Sequence, residues 1–335
     1  LLGTGAASAA TFQINDTTSV GIGGVFYPTY TDTKNSSGNS VDSYGDFNRL
    51  IFTAEKVATD GLTASLYYQI RPQGGLGDFA NADNVVEGDD ESTAGVRTHV
   101  GYATLSGEFG SATYGKNDNV MYRYIDVLRD PYLSRFLTFS NASERTRILN
   151  YASPDFDGFG FEVETELAGD SETVNTETGN SSSVNVAAYA DLDSVRLHAV
   201  YASGNLSPDS EGNSDGAYGV GAVTSINVVD LSVAYTKSQI EVYGTAEAAE
   251  ITGVTAGDRK DQDIASIMAS VPYGYGNLQL SAQEVDVNGQ SNRTEVIAGV
   301  TYDIADNVYS SLEYSSYDKA NDQDNGFGVA LWYAF

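Results

Sequence analysis

The feature that most constrains this chain is a rhythm in which about ten alternating apolar and polar residues are followed by a break. Alternation with a period of two is typical of β-strands, because successive side chains of a strand point to opposite faces. The rhythm continues along nearly the whole chain and predicts about sixteen strands. These strands are predicted at 18–30, 47–57, 62–71, 95–106, 111–117, 145–153, 158–168, 182–192, 194–203, 216–226, 230–238, 261–271, 277–286, 293–304, 308–317 and 326–335.

The connections between these strands alternate in length. Strands of about 9–11 residues suit a tilted span of a bilayer. An even number of strands, with short turns on one side and long loops on the other, is typical of single-chain outer-membrane barrels. The sequence therefore predicts an all-β fold, a transmembrane antiparallel β-barrel with short periplasmic turns and long extracellular loops. The short connections are Ala58–Gly61, Gly107–Gly110, Pro154–Asp157, Asp191–Ser194, Asn227–Asp230, Pro272–Gly276 and Ala305–Asn307, and the long ones are 31–46, 72–94, 118–144, 169–181, 204–215, 239–260, 287–292 and 318–325.

The composition excludes several classes of protein. No apolar run approaches the roughly 18 residues of a membrane-spanning helix, and the absence of cysteine excludes disulfides and thiolate metal sites. The formal net charge of −29 would repel phosphates, so nucleic acid is excluded as a partner. The acidic residues cluster between regular strands, as in EGDDE at 87–91, which argues against disorder. We predict no cofactor.

Alternation alone does not tell which face of a barrel wall is the apolar one. A soluble barrel turns its apolar face inward, whereas a membrane barrel turns it outward and keeps a polar lumen. The sorted loops and the tyrosines near strand ends favour the membrane, where such tyrosines form interfacial girdles; the competing interpretation is ordinary cross-strand packing. The tyrosines assigned to the girdles are Tyr27, Tyr30, Tyr67, Tyr68, Tyr201, Tyr235, Tyr273, Tyr275 and Tyr317.

The two ends of the chain carry separate predictions. LLGTGAASAA at 1–10 is interpreted as the remnant of an export signal, with Ala7-Ser8-Ala9 as a small-x-small cleavage pattern, or as a flexible N-terminus. Residues 11–335 are predicted to form a single barrel domain. The last strand, 326–335, is predicted to pair with 18–30, because a wall strand in hydrocarbon needs a partner on both edges.

Four stretches resemble the Gram-negative general porins. The most specific is RTRILNYASPDFDGFGF at 145–161, which is similar to the porin strand that ends in Tyr-x-Ser-Pro and turns into Gly-Phe. FGSATYGKNDN at 109–119 resembles the strand that leads into the third loop of those porins. NRLIFTAEKVATDGLTASLYYQI at 48–70 resembles their second and third strands, and the ending GVALWYAF is similar to the terminal strand of outer-membrane proteins.

The resemblance implies a homotrimer in the bacterial outer membrane, in which a third loop of each barrel, here 118–144, folds into the lumen and narrows it. In that family the acids of this loop face arginines of the wall. Arg49 lies on the strand face opposite to Leu50 and Phe52. In the strand at 95–106, the same alternation turns Arg97 inward. Carried over, the constriction acids are Asp118, Asp126, Asp130 and Glu144, and the basic residues are Arg49, Arg97, Arg123 and Arg129.

The chain departs from the family pattern in this loop. The usual Pro-Glu-Phe-Gly segment is missing, and DVLRDPYLSRF, which adds Arg135, occupies 126–136. The resemblance therefore leaves open which acids form the constriction. It also implies that Tyr333 and Phe335 belong to a signal read by the assembly machinery. It suggests that loop 72–94 reaches a neighbouring subunit, with a plain surface loop as the alternative.

The implied function is passive diffusion of ions and small hydrophilic solutes, without enzymatic chemistry. Rings of carboxylates favour cations, so the net charge of −29 predicts a pore that prefers them. Most loop acids are expected to serve another purpose, either keeping the outer face soluble or binding divalent cations beside lipopolysaccharide. Outer-membrane lipid and lipopolysaccharide are accordingly expected partners, beside the solutes and cations that pass.

Three other functions remain open at this point. A sugar-specific channel would use an aromatic track, for which the candidates are Tyr122, Tyr124, Tyr132, Phe136 and Phe139, although these rings would equally pack the loop onto the wall. An outer-membrane enzyme would draw on His99 or His198, but neither lies in a recognisable catalytic pattern. An adhesin would bind through its outer loops. DSEGNSDG at 209–216 fails as an EF-hand, because it lacks the sixth-place glycine and the twelfth-place glutamate.

Overall fold

The structure, a computed structural model, describes residues 10–58, 61–72, 96–130, 132–135, 137–140, 145–167, 183–203, 216–241, 259–288 and 292–335. Nineteen β-strands in this part of the chain form one antiparallel sheet. The strands are β1 Ala10–Asn15, β2 Thr18–Phe26, β3 Pro28–Lys34, β4 Ser40–Asp46, β5 Arg49–Val57, β6 Thr63–Pro72, β7 Val96–Gly107, β8 Gly110–Asp118, β9 Arg145–Ala152, β10 Phe159–Glu166, β11 Ser183–Leu192, β12 Val195–Ala202, β13 Ala217–Ile226, β14 Val229–Glu241, β15 Arg259–Pro272, β16 Asn277–Val287, β17 Arg293–Ala305, β18 Val308–Tyr317 and β19 Gly326–Ala334.

Helical structure is sparse in the same residues. The α-helix α1 spans Val120–Tyr124, and short 3-10 turns lie at Asp126–Arg129 and Ala320–Asp322. Among the described residues, no helix has the length and apolarity that a membrane crossing requires.

The sheet closes into a barrel of 16 wall strands. Two of these wall strands each consist of two consecutive β-strands. Tyr27 separates β2 from β3, and Phe47 and Asn48 separate β4 from β5. The interruptions face each other and are bridged: the Tyr27 N–H donates to Asn48 Oδ1 at 2.7 Å, and the Phe47 N–H donates to the Tyr27 carbonyl at 2.9 Å. The predicted barrel and its number of strands are thus confirmed.

The barrel closes where the last strand meets the first. β19 pairs with β3 from Gly326↔Thr33 to Ala330↔Thr29, and with β2 at Ala334↔Val25. Beyond the end of β19, the Phe335 N–H donates to the Gly24 carbonyl at 3.0 Å, and the Gly24 N–H donates back at 2.9 Å. The predicted pairing of 326–335 with 18–30 is confirmed, and these bonds satisfy backbone groups that have no water partner in hydrocarbon.

Many apolar side chains lie on the outer surface and many polar ones lie inside, the reverse of a soluble protein. On β16, Leu278 and Leu280 are 51% and 52% exposed, whereas Gln279, Ser281 and Gln283 are buried. Along β19, Phe327, Val329 and Tyr333 of the predicted apolar face are likewise exposed, and the residues between them are buried: Gly328, Ala330, Trp332 and Ala334. An apolar outer surface around a polar interior excludes the soluble barrel and fits a wall in contact with lipid.

The tyrosine girdles are confirmed only in part. Tyr201, Tyr273 and Tyr275 are exposed on the outer surface. Tyr27, Tyr67 and Tyr317 instead point inward, so their assignment to a girdle is wrong; Tyr27 and Tyr317 are 4% and 6% exposed. Parity explains Tyr317, because it shares a face with the buried Ser311, Glu313 and Ser315 rather than with the exposed Tyr314.

Two parts of the strand prediction also need correction. The predicted loop at 31–46 is largely a hairpin of β3 and β4, with its turn at 35–39. Its aspartates made it look like a loop, but Thr, Tyr and Val at alternate positions favour a strand. The second correction is β1, a short strand that pairs with β2 and was not predicted. Residues 1–9, which carry most of the export-signal prediction, lie outside the described residues.

The close packing of Gly24 at the seam of the barrel can be tested by substitution. A Cβ added there would lie 2.5 Å from Phe335 Cζ and 2.8 Å from the Arg49 carbonyl oxygen, and the carbonyl belongs to the backbone of the next wall strand. We therefore expect Gly24→Val to lower the free energy of unfolding by about 1–3 kcal/mol through overpacking, measured by urea titration of the protein in detergent micelles. Ala103→Val, at an exposed position on β7, is the matched control. Equal effects of the two substitutions would contradict this account of the closure.

Candidate functional site

The connection between β8 and β9 enters the barrel. We call residues 119–140 the inward segment; all but Pro131 and Phe136 are described. Its residues bond to inward groups on separate parts of the wall: the Ser232 hydroxyl on β14 donates to the Leu128 carbonyl at 2.5 Å, and the Tyr132 hydroxyl donates to the Ile297 carbonyl on β17 at 2.6 Å. The predicted inward fold of the third loop is confirmed.

The helix α1 starts the inward segment and lies flat on the wall. Asn119 caps it, because its Oδ1 accepts from the Tyr122 N–H at 3.2 Å. Its apolar side meets small wall residues, and a Cβ at Gly221 would lie 2.5 Å from Leu128 Cδ1. The wall therefore approaches the segment closely only because its side chains there are small. The buried apolar cluster at this contact comprises Val120, Met121, Ile125, Leu128, Ala187, Val200, Ala202, Ala217 and Ala234.

Three glutamates in a row on β10 hold this helix. Glu162, Glu164 and Glu166 alternate along the strand and all point inward. Arg123 Nη2 lies 2.6 Å from Glu162 Oε2 and 3.1 Å from Glu164 Oε2. Asn119 Nδ2 donates to Glu166 Oε1 at 3.0 Å, so the beginning of the helix is bonded to the same row. The row fixes both the position and the direction of α1.

A single carboxylate on β18 holds the next part of the segment. Glu313 is 1% exposed and accepts the backbone N–H groups of Leu133, Ser134 and Arg135 at 2.8, 2.7 and 2.8 Å. The Ser134 hydroxyl adds a fourth bond at 2.6 Å. Arg135 continues outward to donate to Ser315 Oγ at 2.8 Å. Hydrogen bonds to a charged acceptor are the strong ones, so this turn is firmly tied to the wall.

Glu295 on β17 holds the last described part of the segment. It is fully buried and accepts the Thr138 N–H at 2.8 Å and the Thr138 hydroxyl at 2.7 Å. Arg293 Nε lies 2.8 Å from the same carboxylate, and Gln283 Nε2 donates to it at 2.6 Å. We call Glu162, Glu164, Glu166, Glu295 and Glu313 the anchor glutamates. Sequence reasoning missed their role, although strand parity could have placed them on the inner face: they alternate with apolar residues of the outer face, such as Val163 on β10 and Leu312 on β18.

The predicted constriction residues lie in different surroundings. Asp126 and Arg129 form an ion pair with each other and are 0% and 1% exposed, so neither faces water. Ser140 Oγ adds a bond to Asp126 at 2.9 Å. Asp118 ends β8 and pairs with Arg145 at 2.6 Å. Glu144 and the side chain of Arg97 lie outside the described residues, and their assignment stays a prediction.

Asp130 lies in the inward segment near the aromatic ring of Tyr122. The Tyr122 hydroxyl donates to Asp130 Oδ2 at 3.4 Å. Burial raises the pKa of Asp130 to about 7 from its ordinary value of 3.8, with the charge of Glu313 adding to the rise. The hydroxyl and Arg129 oppose it. Asp130 therefore changes its charge near neutral pH rather than in acid.

The adjacent wall strands β5, β6 and β7, which carry none of the anchor glutamates, form the basic part of the wall. Arg49 on β5 points inward, as its parity predicts, and its Cζ lies 5.5 Å from the centre of the Trp332 ring. Arg71 on β6 lies over Phe47 at 5.7 Å, and the strand register pairs Arg71 with Arg97. Arg71 was not among the predicted residues, although it shares a face with Gln69 and opposes the outward Tyr68. Three arginines on adjacent strands thus occur at one level of the wall.

The four described aromatic residues of the predicted track do not form one row. Tyr132 is 5% exposed and Tyr124 donates to Glu162 Oε1 at 2.7 Å, so both serve to fix the segment. Tyr122 and Phe139 are half-buried and meet edge to face, with ring centres 5.8 Å apart. Phe136 lies outside the described residues.

Neither histidine shows a catalytic arrangement. His99 Nδ1 lies 3.4 Å from Arg145 Nη1, and His198 packs edge-on against the Tyr124 ring at 5.6 Å. In the part of the chain that the structure describes, no group of three or more His, Asp or Glu residues could hold a metal ion. The rejected EF-hand stretch lies outside that part, apart from Gly216.

Comparisons with known proteins agree with this geometry. A family model described as "Gram-negative porin" matches residues 1–331. A "Monosaccharide porin" of a Halomonas species and a "Major outer membrane protein" of Halomonas elongata are each 25% identical over 345 residues, covering 91% of this chain and 88% of the relative. Among solved structures, Salmonella typhi OmpF has a TM-score of 0.71 at 17% identity, covering 96% of this chain and 98% of that one. The trimer form of Vibrio cholerae OmpT has a TM-score of 0.63 at 15% identity, covering 96% and 100%. At these identities the two structures support the fold alone.

The Glu313 contact predicts how the segment is released. Glu313→Gln keeps the size of the side chain but removes its charge and one acceptor oxygen, and each bond to a charged acceptor contributes about 1.5–3 kcal/mol. We expect the segment to open more often and trypsin to cut after Arg135 at least about tenfold faster, measured on the protein in detergent micelles. Glu284→Gln is the control, because Glu284 is exposed and accepts a single side-chain bond from Asn292. Unchanged cleavage of the Glu313 variant would contradict the anchoring role.

Asp130 predicts a specific dependence of stability on pH. Its pKa is raised in the folded protein, so folding favours the protonated form. The stability that this form contributes to the folded protein is fully present below about pH 4. That contribution is lost as the pH rises towards about 7. We expect Asp130→Asn, which cannot ionise, to gain thermal stability over the wild type progressively between these values, measured as the unfolding temperature at each pH. A constant difference across this range would show that Asp130 does not titrate there.

Proposed function

Because the chain belongs to the Gram-negative porin family and is a protein of the bacterial outer membrane, we propose that it is a general diffusion pore for ions and small hydrophilic solutes. The family and the fold indicate a channel rather than an enzyme. The observation that carries the proposal is the inward segment, which the anchor glutamates hold against the inside of the wall. A rigid obstruction inside a barrel narrows the passage without closing it.

The narrow passage lies between the arginines of β5 and β6 and the inward segment. The electrostatic interaction of Tyr122, on the inward segment, with Arg49, on β5, supports this position of the passage. We assign Asp118 and Asp130 as the acids of this passage, opposite Arg49. Asp126 and Arg129 shape the segment from within, and Arg123 fixes it to the wall. A field between acids and arginines favours polar solutes that can align their dipoles in it.

The pore is proposed to prefer cations. Two arginines, Arg123 and Arg293, form ion pairs with the anchor glutamates, so the five carboxylates outnumber their cationic partners in the described residues. The net charge of −29 adds a negative potential at the entrances. Exposed charges are screened over about 8 Å at physiological ionic strength, which makes the acids along the lumen more effective than those on distant loops.

The assembly is proposed to be a homotrimer in contact with lipid and lipopolysaccharide. The support is the family resemblance and the solved trimer form of Vibrio cholerae OmpT. Loop 72–94, proposed to reach a neighbouring subunit, lies almost wholly outside the described residues. Tyr333 and Phe335 are 44% and 50% exposed on the outer face of β19, where assembly machinery would have access to them before insertion.

A sugar-selective channel is the second candidate. It is favoured by an observation separate from the predicted aromatic track, the stacked pair of Tyr67 and Tyr102 on the inward face of β6 and β7. One relative of this chain is named a monosaccharide porin. The two functions are compatible, because a diffusion pore can hold a weak site on its path.

The opposite charges of Arg49 and Asp118 predict that their removal shifts the ion selectivity of the pore in opposite directions. In a planar bilayer with a KCl gradient, we expect ohmic conductance and a reversal potential on the cation side. Arg49→Ala removes a positive charge and should move that potential further to the cation side, whereas Asp118→Asn should move it towards the anion side. Arg196→Ala is the control, because Arg196 is bound to Asp191 beside the turn after β11. Absence of conductance from folded protein would refute the pore, and equal potentials in all variants would refute the assigned passage.

A further inference from the structure

The inward face of β6 and β7 carries a pair of stacked aromatic rings. Tyr67 and Tyr102 are register partners on β6 and β7, and their rings stack at 5.4 Å with 17° between the planes. Their strand face is the inward one, since the neighbouring Gln69 is buried and Tyr68 points outward. Both rings are half-exposed, and neither belongs to a buried apolar cluster of the described residues. They therefore present an aromatic surface to the water of the passage.

One carboxylate lies within electrostatic range of three tyrosine hydroxyls. Asp118 acts on the hydroxyls of Tyr67 and Tyr102 on the wall and on that of Tyr122 on the inward segment. Arg145 holds Asp118 at 2.6 Å. Tyr102 pairs with Gly115 of β8, the strand that ends at Asp118 and leads into the helix that carries Tyr122. The strand register and these electrostatic interactions together indicate one space that the three rings border.

Guanidinium groups complete the cluster. Arg49 and Arg71 act on the Tyr67 hydroxyl, and Arg123 acts on that of Tyr102. Arg49 forms no ion pair with any described residue, so its positive charge is not neutralised by one of them. The space thus offers an aromatic face, a carboxylate that accepts hydrogen bonds and guanidinium groups that donate them.

This combination matches one class of solute. A pyranose sugar has a flat face of C–H groups, which packs on an aromatic ring, and a rim of hydroxyls that both donate and accept hydrogen bonds. A simple cation is attracted by the aromatic face and the carboxylate but repelled by the guanidinium groups, and an apolar solute would leave the charged groups without partners. We propose that Tyr67, Tyr102, Tyr122 and Asp118 form a weak binding subsite for a monosaccharide in the passage. The subsite rests on the proposed pore function, because it needs a water-filled path, and binding must be weak for the sugar to leave again.

The test records single channels in a planar bilayer with glucose added to one side. We expect brief interruptions of the current whose frequency saturates with glucose concentration. Mannitol, an open-chain hexitol with similar hydroxyls and no ring, should interrupt the current much less. Tyr102→Ala should weaken the interaction with glucose about tenfold, the size of effect expected for one lost ring contact, while Tyr102→Phe keeps it. Tyr314→Ala, at an outward position on β18 that is 56% exposed, is the matched control.

The outcomes separate the subsite from the pore. Equal interruptions by glucose and mannitol, or by glucose in wild type and Tyr102→Ala, would overturn the subsite while the conductance upholds the pore. Absence of conductance would overturn both. If Tyr102→Ala does not fold, Tyr67→Ala tests the other ring of the pair, and the comparison of glucose with mannitol needs no variant.

Discussion

The structure depends on one constraint, that no backbone N–H or C=O of a wall strand has water to bond within hydrocarbon. The constraint requires each wall strand to have two neighbours, and it is met at the seam by the reciprocal bonds of Phe335 and Gly24. A glycine is found at that seam because the Phe335 ring lies where a side chain at position 24 would be. Once the sheet is closed, lipid selects apolar residues for the outer face, and the inner face is left to polar ones.

A polar interior makes the anchor glutamates possible. In a soluble core a carboxylate without partners costs several kcal/mol to bury, whereas Glu313 receives four hydrogen bonds from the inward segment. Ordering the three residues that donate them costs about 1–2 kcal/mol each in backbone entropy. Bonds to a charged acceptor contribute about 1.5–3 kcal/mol each, so the bonds outweigh the ordering. The segment is held by specific contacts rather than by the general tendency of apolar residues to collapse.

Strands were the predictable part of this fold, because alternation is a local property of the sequence. The β3–β4 hairpin was missed where aspartates at alternate positions resembled a loop. The anchors were not predicted because they depend on distant partners: Glu313 and Leu133 are separated by 180 residues, and no local pattern indicates that they meet. The assignment of Asp126 to the constriction failed for a different reason. Arg129 follows it by three residues, a spacing that indicates an ion pair within the segment. Arg49 was placed correctly inward by the family resemblance, with its parity in support.

The anchors also explain why the inward segment departs from the family pattern described above. That pattern places acids on the loop and arginines on the wall, yet this segment carries Arg123, Arg129 and Arg135. Arg123 binds the glutamate row of β10, Arg135 binds the wall beside Glu313, and Arg129 is neutralised by Asp126. Each added arginine therefore has its own partner away from the passage. Asp130, bonded to the Tyr122 hydroxyl, takes part in none of these ion pairs, so the segment keeps an acid of the kind the family pattern places on this loop.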